Sequence, residues 1–149
     1  MASEADVRNR VHIEVDSVPE NIGLVRLAVA GMAAHARFTL AEVEEIKVAV
    51  SEAVSNSVIH GYRDGRGVIK VTAVLEPGGM RVTVRDEGSG MADVEECRRA
   101  RGGGDPERMG LGFMFMESLM DSLEVESSPG RGTTVRMFKA FTREAGPGG

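Results

Sequence analysis

Two breaks in the apolar pattern, Glu76-Pro-Gly-Gly79 and Ser128-Pro-Gly-Arg-Gly132, restrict what this chain can fold into more than any other feature. Each separates short runs rich in Val and Thr, 68–75 from 80–85 and about 122–127 from 133–141. Strands joined by so few residues pair antiparallel, as hairpins. An earlier run, 11–15 (Val-His-Ile-Glu-Val), alternates apolar and polar like a half-buried strand. Ser17-Val-Pro-Glu20 then reads as a capping box with Pro in the first turn, opening a helix to about Ala36 with Leu24, Leu27, Ala28 and Met32 on its buried face. Thr39-Leu-Ala-Glu42 reads as a second capping box and opens the longest helix, to about His60. Val43, Ile46, Val50, Ala53, Val54 and Ser57 recur there at core spacing, and Gly61 is the stop signal. Asp93-Val-Glu-Glu96 predicts a short helix, and Leu111 to Asp121 another, rich in Met and Phe. The order strand, helix, helix, hairpin, short helix, helix, hairpin predicts an α+β layer, with helices on one face of a sheet. It is not the β-α-β alternation of a Rossmann domain.

At 149 residues the chain suits a single domain, expected over 11–141 between an N-terminal arm (1–10) and a disordered tail (142–149). A chain of this size holds a core without disulfides or metals. Its one cysteine, Cys97, excludes an internal disulfide framework and a thiolate zinc site. His12, His35 and His60 lack ligand spacing. Lys plus Arg total 18 against 23 Asp plus Glu, a net charge of −5 with no basic block. Direct DNA or anionic-membrane binding is therefore not expected. No apolar run reaches the roughly 18 residues of a membrane span. The acidic start Met1-Ala2-Ser3-Glu4-Ala5-Asp6 is unlike a signal peptide, so the expected location is cytoplasmic. No Gly-x-x-x-x-Gly-Lys-Ser/Thr and no Gly-x-Ser-x-Gly occurs, which excludes a P-loop and a nucleophile elbow.

Of the 19 glycines, seven crowd into 88–112: Gly88, Gly90, Gly102, Gly103, Gly104, Gly110 and Gly112. Such a concentration points to a mobile loop, or to backbone that must approach a ligand closely. Four constellations surround it. Glu52 and Asn56 stand four apart on the long helix, about 40° from each other around the axis. A carboxylate there can take a proton from a nucleophile, and an amide oxygen can ligate Mg2+; a solvated polar pair is the ordinary alternative. Asp86-Glu-Gly88-Ser-Gly90 ends a strand, and offers either a carboxylate with bare backbone for a planar donor such as adenine or a plain Asp/Gly turn. Met109-Gly110-Leu-Gly112 precedes the predicted Met/Phe helix and can leave N–H groups free for phosphate, with Arg101 to Arg108 either closing over it or simply disordered. Gly130-Arg-Gly132-Thr133-Thr134 either completes a base pocket with a hydroxyl or is a hairpin turn before β-favouring threonines.

In this order the four resemble the N, G1, G2 and G3 boxes of Bergerat-fold (GHKL) ATPases. Ser51-Glu-Ala-Val-Ser-Asn-Ser-Val-Ile-His-Gly-Tyr62, Val84-Arg-Asp-Glu-Gly88 and Met116-Glu-x-x-Met-Asp121 narrow the resemblance to anti-sigma factor kinases. The pattern looks most like the anti-sigma F factors of sporulation, with the general-stress anti-sigma B factors next. The similarity spans about 11–139 and implies a mixed, mainly antiparallel sheet with a flexible ATP lid at about 92–109. It also implies ATP or ADP with Mg2+, a bound and silenced sigma factor, and a serine phosphorylated on an anti-anti-sigma partner. Residue by residue, it implies Glu52 as catalytic base and Asn56 as the Mg2+ ligand. Asp86 would accept from the adenine amine, with Gly88, Gly90 and Thr133 beside it. Gly110 and Gly112 would meet phosphate through backbone N–H groups, with Arg108 reaching the γ-phosphate. Arg26 matches a position that touches both protein partners, and a homodimer through the first strand and helix is implied. The lid is about two residues shorter than the family pattern and carries three consecutive glycines.

Two rivals remain. A detached histidine-kinase ATP domain would need a helical, histidine-bearing segment upstream, where only about ten residues precede the first strand. A nucleotide-gated sigma-binding module would lack kinase turnover altogether.

Overall fold

The computed structural model describes residues 6–61, 67–90 and 105–142, without the side chains of residues 60 and 105–110. The chain runs β1 (Asn9–Asp16), α1 (Glu20–Ala34), α2 (Leu40–Asn56), a π-helical turn (Ser57–Gly61), β2 (Val68–Glu76), β3 (Gly79–Asp86), α3 (Asp105–Leu119), β4 (Ser122–Ser127) and β5 (Thr133–Ala140). This is the α+β arrangement anticipated from the two hairpins. The expected short helix at Asp93 and the lid residues 92–104 lie outside the described residues.

The strands form one sheet in the order β1-β2-β3-β5-β4, and every described pairing is antiparallel, so the expected mixed character narrows to antiparallel. Pro77 and Gly78 alone turn β2 into β3, with Glu76 opposite Gly79. Alternation sorts the faces: Ile69, Val71, Val82, Val84, Val135 and Met137 are buried, while their sequence neighbours face outward. The buried face meets Val25 and Val29 of α1, Ile46, Val50 and Val54 of α2, and Phe113 and Met116 of α3 in one core. Each such fully buried side chain contributes about 1.5–3 kcal/mol.

Local signals succeed at one helix start and fail at the other. At α2, Thr39 Oγ1 accepts from the Glu42 amide (3.1 Å) and Glu42 Oε1 accepts from the Thr39 amide (2.8 Å), closing the capping box. The box expected at Ser17 does not form: α1 starts at Glu20 after Pro19, with no side-chain cap. The Ser17 amide instead donates to the Gly67 carbonyl (2.8 Å), extending the β1–β2 edge. The buried face of α1 is also corrected. Val25, Val29, Ala30, Met32 and Ala33 point inward, whereas Leu24 and Leu27 are 57% and 63% exposed and Ala28 is exposed. Because α1 is apolar nearly all round, periodicity alone does not choose the face.

The far pole is tied by polar groups. Thr142, assigned to the tail by the sequence, donates to Glu42 Oε2 (2.8 Å), and the Phe141 ring packs on Phe38 at 4.7 Å. The Thr39 amide, aided by the Thr142 hydroxyl and the Lys139 charge, outweighs burial and holds the Glu42 carboxyl below its ordinary value of 4.5. Residues 143–149 lie outside the described residues.

Candidate functional site

The site grows from the C-terminal end of α2. Its last regular residue is Asn56, after which the backbone widens into the π turn that ends at Gly61. Such turns inside helices recur at functional sites because they re-aim side chains. Here consecutive residues face two different neighbours: Asn56 faces α3, and Ser57 faces the end of β3.

At β3, Asp86 is 3% exposed and its carboxylate is held from both sides. Ser57 Oγ donates to Oδ2 (2.8 Å), and the Gly88 amide donates to Oδ1 (2.9 Å). Gly61 closes the cradle: a β-carbon there would stand 3.1–3.3 Å from the Asp86 carboxyl atoms. Three backbone segments interlock around this point. The Ser89 amide donates to the Gly61 carbonyl (2.8 Å), and the Gly130 amide to the Ser89 carbonyl (2.8 Å). Thr133 lies opposite Asp86 in the β3–β5 register, so both side chains share one face. Its hydroxyl is 2.8 Å from Ser127 Oγ, which donates to the Gly132 carbonyl.

The glycines of this motif have a different cause from the one expected. Room for a ligand was the sequence argument for Gly88 and Gly90. A β-carbon at Gly88 would lie 1.8 Å from the Gly61 carbonyl oxygen, and one at Gly90 (φ +71°) 2.0 Å from that of Ser128. The bare backbone serves contact between loops. Gly132 belongs to the same class, its absent β-carbon 2.1 Å from the Asp86 carbonyl oxygen.

On the other side, α3 presses its own bare backbone onto α2. A β-carbon on Gly112 would meet Glu52 Oε2 at 3.0 Å and the Asn56 side-chain amide at 3.4 Å. Glu52, Asn56 and Gly112 are therefore brought together as the sequence predicts, but not at a helix start. α3 begins at Asp105, six residues before the predicted Leu111, so Gly110 and Gly112 lie within it, where most N–H groups are committed to the helix. Arg108 likewise lies in α3, and its side chain is outside the described residues. Only 105–109 of the expected lid are described, and they are helical.

A second contact fixes how the two helices lie. Lys139, 8% exposed on β5, donates to Glu45 Oε2 (2.8 Å) and to the Leu119 carbonyl at the end of α3. Glu45 precedes Glu52 by seven residues, and Leu119 follows Gly112 by seven. The antiparallel pair is thus pinned at two points about 10 Å apart.

The donor set suits a nucleotide with a hard cation. Among the described residues, Asn56 Nδ2 and Ser17 Oγ are the buried side-chain polar atoms without a hydrogen-bond partner. Nδ2 is a donor, so the partner it lacks is an acceptor, such as a phosphate oxygen, and leaving it without one is costly. Amide and carboxylate oxygens are the ligands Mg2+ prefers. Arg26 is half-buried on α1, its Nη2 folded back over Gly23, and it takes no part in this cluster.

Sequence reasoning passed over Ser57 as a site residue and Gly61 as part of the cradle. Ser57 left one signal, a hydroxyl inside an apolar stripe, which must find a partner when buried.

Comparison with known proteins identifies the domain. The family model for the histidine kinase-like ATPase domain matches residues 15–139. The anti-sigma F factor of Geobacillus stearothermophilus is 42% identical over 138 residues, covering 91% of this chain and 94% of its own length. That of Bacillus subtilis strain 168 is 39% identical over 140 residues, covering 92% and 96%. Among solved structures, the RsbU and RsbW domains of Rv1364c from Mycobacterium tuberculosis superpose with a TM-score of 0.67 at 25% identity, over 92% of this chain and 33% of that longer one. The blue-light activated histidine kinase domain of Erythrobacter litoralis EL346 shares the fold, with a TM-score of 0.57, over 83% of this chain and 60% of that one. With a nucleotide-binding, kinase-type ATPase domain across most of its length and relatives of this kind, the chain belongs to the anti-sigma F type of the histidine kinase-like (GHKL) anti-sigma factor kinases.

Proposed function

We propose that this protein binds and silences a sigma factor, by kinship the sporulation sigma F, and uses Mg-ATP to phosphorylate a serine of an anti-anti-sigma partner. The observation that carries the reading is the junction at 56–57. A buried Asn56 N–H donor without a partner, beside Glu52, lies one residue from the hydroxyl that holds Asp86.

Asp86, with Thr133 beside it, accepts from the adenine amine. Gly110 and Gly112 bring α3 backbone toward the phosphates, and Arg108 reaches for the γ-phosphate. Asn56 would hold Mg2+ through its amide oxygen, and the bound ion offsets charge on the transferring phosphoryl group. Glu52 takes the proton of the incoming serine hydroxyl. The serine oxygen bonds to the γ-phosphorus as the bond to the ADP oxygen breaks. The sigma factor and the anti-anti-sigma protein share the surface around Arg26. We further propose a homodimer through β1 and α1 and a cytoplasmic location, where sigma factors act; no helix among the described residues is long and apolar enough to cross a membrane.

Intact-mass measurement of a purified anti-anti-sigma protein incubated with this chain and Mg-ATP tests the reading. One added phosphate on a serine, absent with Glu52→Ala although ATP still binds, is the expected result. ATP binding without any phosphate transfer would leave the alternative, a nucleotide-gated sigma-binding module.

A further inference from the structure

We propose that Ser57 is a positioning residue for purine recognition, fixing the plane of the Asp86 carboxylate so that its free acceptor edge suits a 6-amino purine. The inference rests on the reading of Asp86 as the base acceptor and adds a residue to it. Rotation of an Asp carboxylate about its last bond is soft and roughly two-fold. One donor does little to stop it, and the Gly88 amide, only two residues along the chain, is the local donor that any Asp in such a turn can find. Ser57 is a second donor from a different element, 29 residues away, and it binds the other oxygen. With Oδ1 and Oδ2 each committed to a donor on a separate segment, turning the carboxylate breaks both bonds at once.

Ser57 is itself 5% exposed, so bulk solvent has little access to the hydroxyl. Gly61, four residues on in the same π turn, lies against the carboxyl group, where a β-carbon would stand 3.1–3.3 Å from its atoms. A carboxylate has about four acceptor positions, of which this arrangement occupies two. The rest are acceptors only. They match the amine of adenine and oppose the carbonyl oxygen that inosine carries at the same place. A site built around a buried hydrogen bond rejects analogues that cannot make it far more sharply than an apolar pocket does.

The test is calorimetric binding of Mg-ATP and Mg-ITP to the full chain, in the parent, Ser57→Ala and Ser57→Thr. The parent is expected to prefer ATP, Ser57→Ala to lose about threefold to tenfold of that preference, and Ser57→Thr, which keeps the hydroxyl, to retain most of it. The ATP-to-ITP ratio is unaffected by the fraction folded, because both ligands sample the same folded molecules, so a destabilised variant still reports. Equal weakening of both nucleotides in Ser57→Ala, or an unchanged ratio, would overturn the positioning role while leaving the nucleotide site intact. A parent that binds ATP without preferring it over ITP, or that binds neither, would overturn the reading of Asp86 and this inference with it.

Discussion

Among the described glycines of the site Gly88 leaves a β-carbon the least room, because one there would run into the Gly61 carbonyl oxygen, carbonyl carbon and Cα at 1.8–2.6 Å. These are backbone atoms, held in turn by the Ser89 amide, and no rotamer relieves the clash. Gly112 differs: its nearest obstacle is the tip of the Glu52 side chain, which can swing aside. Gly88→Ala is therefore expected to destabilise by about 1–3 kcal/mol or more, with ATP binding lost as Asp86 shifts. Gly112→Ala should cost less than half as much stability while still displacing Glu52. Thermal unfolding of the two variants beside the parent checks the ordering, and a Gly88→Ala protein as stable as the parent would refute it. At this scale the sequence disclosed which residues come together better than why. Asp86, Gly88 and Gly90 were legible as a strand-end motif, but the need for glycine arises from loops 61 and 128, distant in sequence and therefore invisible to spacing arguments.

α2 shows what a local signal can and cannot carry. Its start was legible because both halves of the capping box lie within four residues, Thr39 to Glu42, and need nothing from elsewhere. Ser17 to Glu20 spells a similar box, yet the Ser17 amide is claimed by Gly67, a partner no window around Ser17 contains. The π turn at the other end of α2 is likewise a tertiary outcome, built where Ser57 and Gly61 meet Asp86. Glu42 gives this element a measurable pH dependence. Its folded-state carboxyl is held below the ordinary value of 4.5, chiefly by the Thr39 amide, so the folded chain binds a proton less readily than the unfolded one. The stability it contributes is complete above 4.5 and is lost as pH falls from there through the lowered value. Glu42→Gln should be less stable than the parent at neutral pH by about 1–2 kcal/mol, and the gap should close on acidification. Denaturant unfolding at several pH values decides it; a gap constant with pH would show that the charge of Glu42 contributes nothing.

For the whole molecule, the class was legible and the arrangement was not. Two hairpins and the intervening helices imply an antiparallel sheet covered on one face. Nothing local says that β5 inserts between β3 and β4, or that β1 lies at the edge. The same non-local fact bears on assembly. Only one long side of β1 is paired, to β2, so among the described strands its outer edge is open to another chain. α1, which follows it, turns Leu24 and Leu27 outward, both more than half exposed. Contiguous exposed apolar surface beside an open edge marks a contact between proteins. The proposed homodimer would cover both, and Arg26, one residue from Leu27, lies close enough for a bound partner to touch dimer and arginine together. Leu27→Glu puts a charge into that contact without approaching Asp86, Glu52 or Asn56. Sedimentation should then show a dimer for the parent and a monomer for the variant at the same concentration, with ATP affinity preserved. Arg26→Ala should leave the dimer intact and weaken capture of the sigma factor and the anti-anti-sigma protein alike. If Leu27→Glu stays dimeric, the interface lies elsewhere, and the exposed leucines must be assigned to the partners that Arg26 receives.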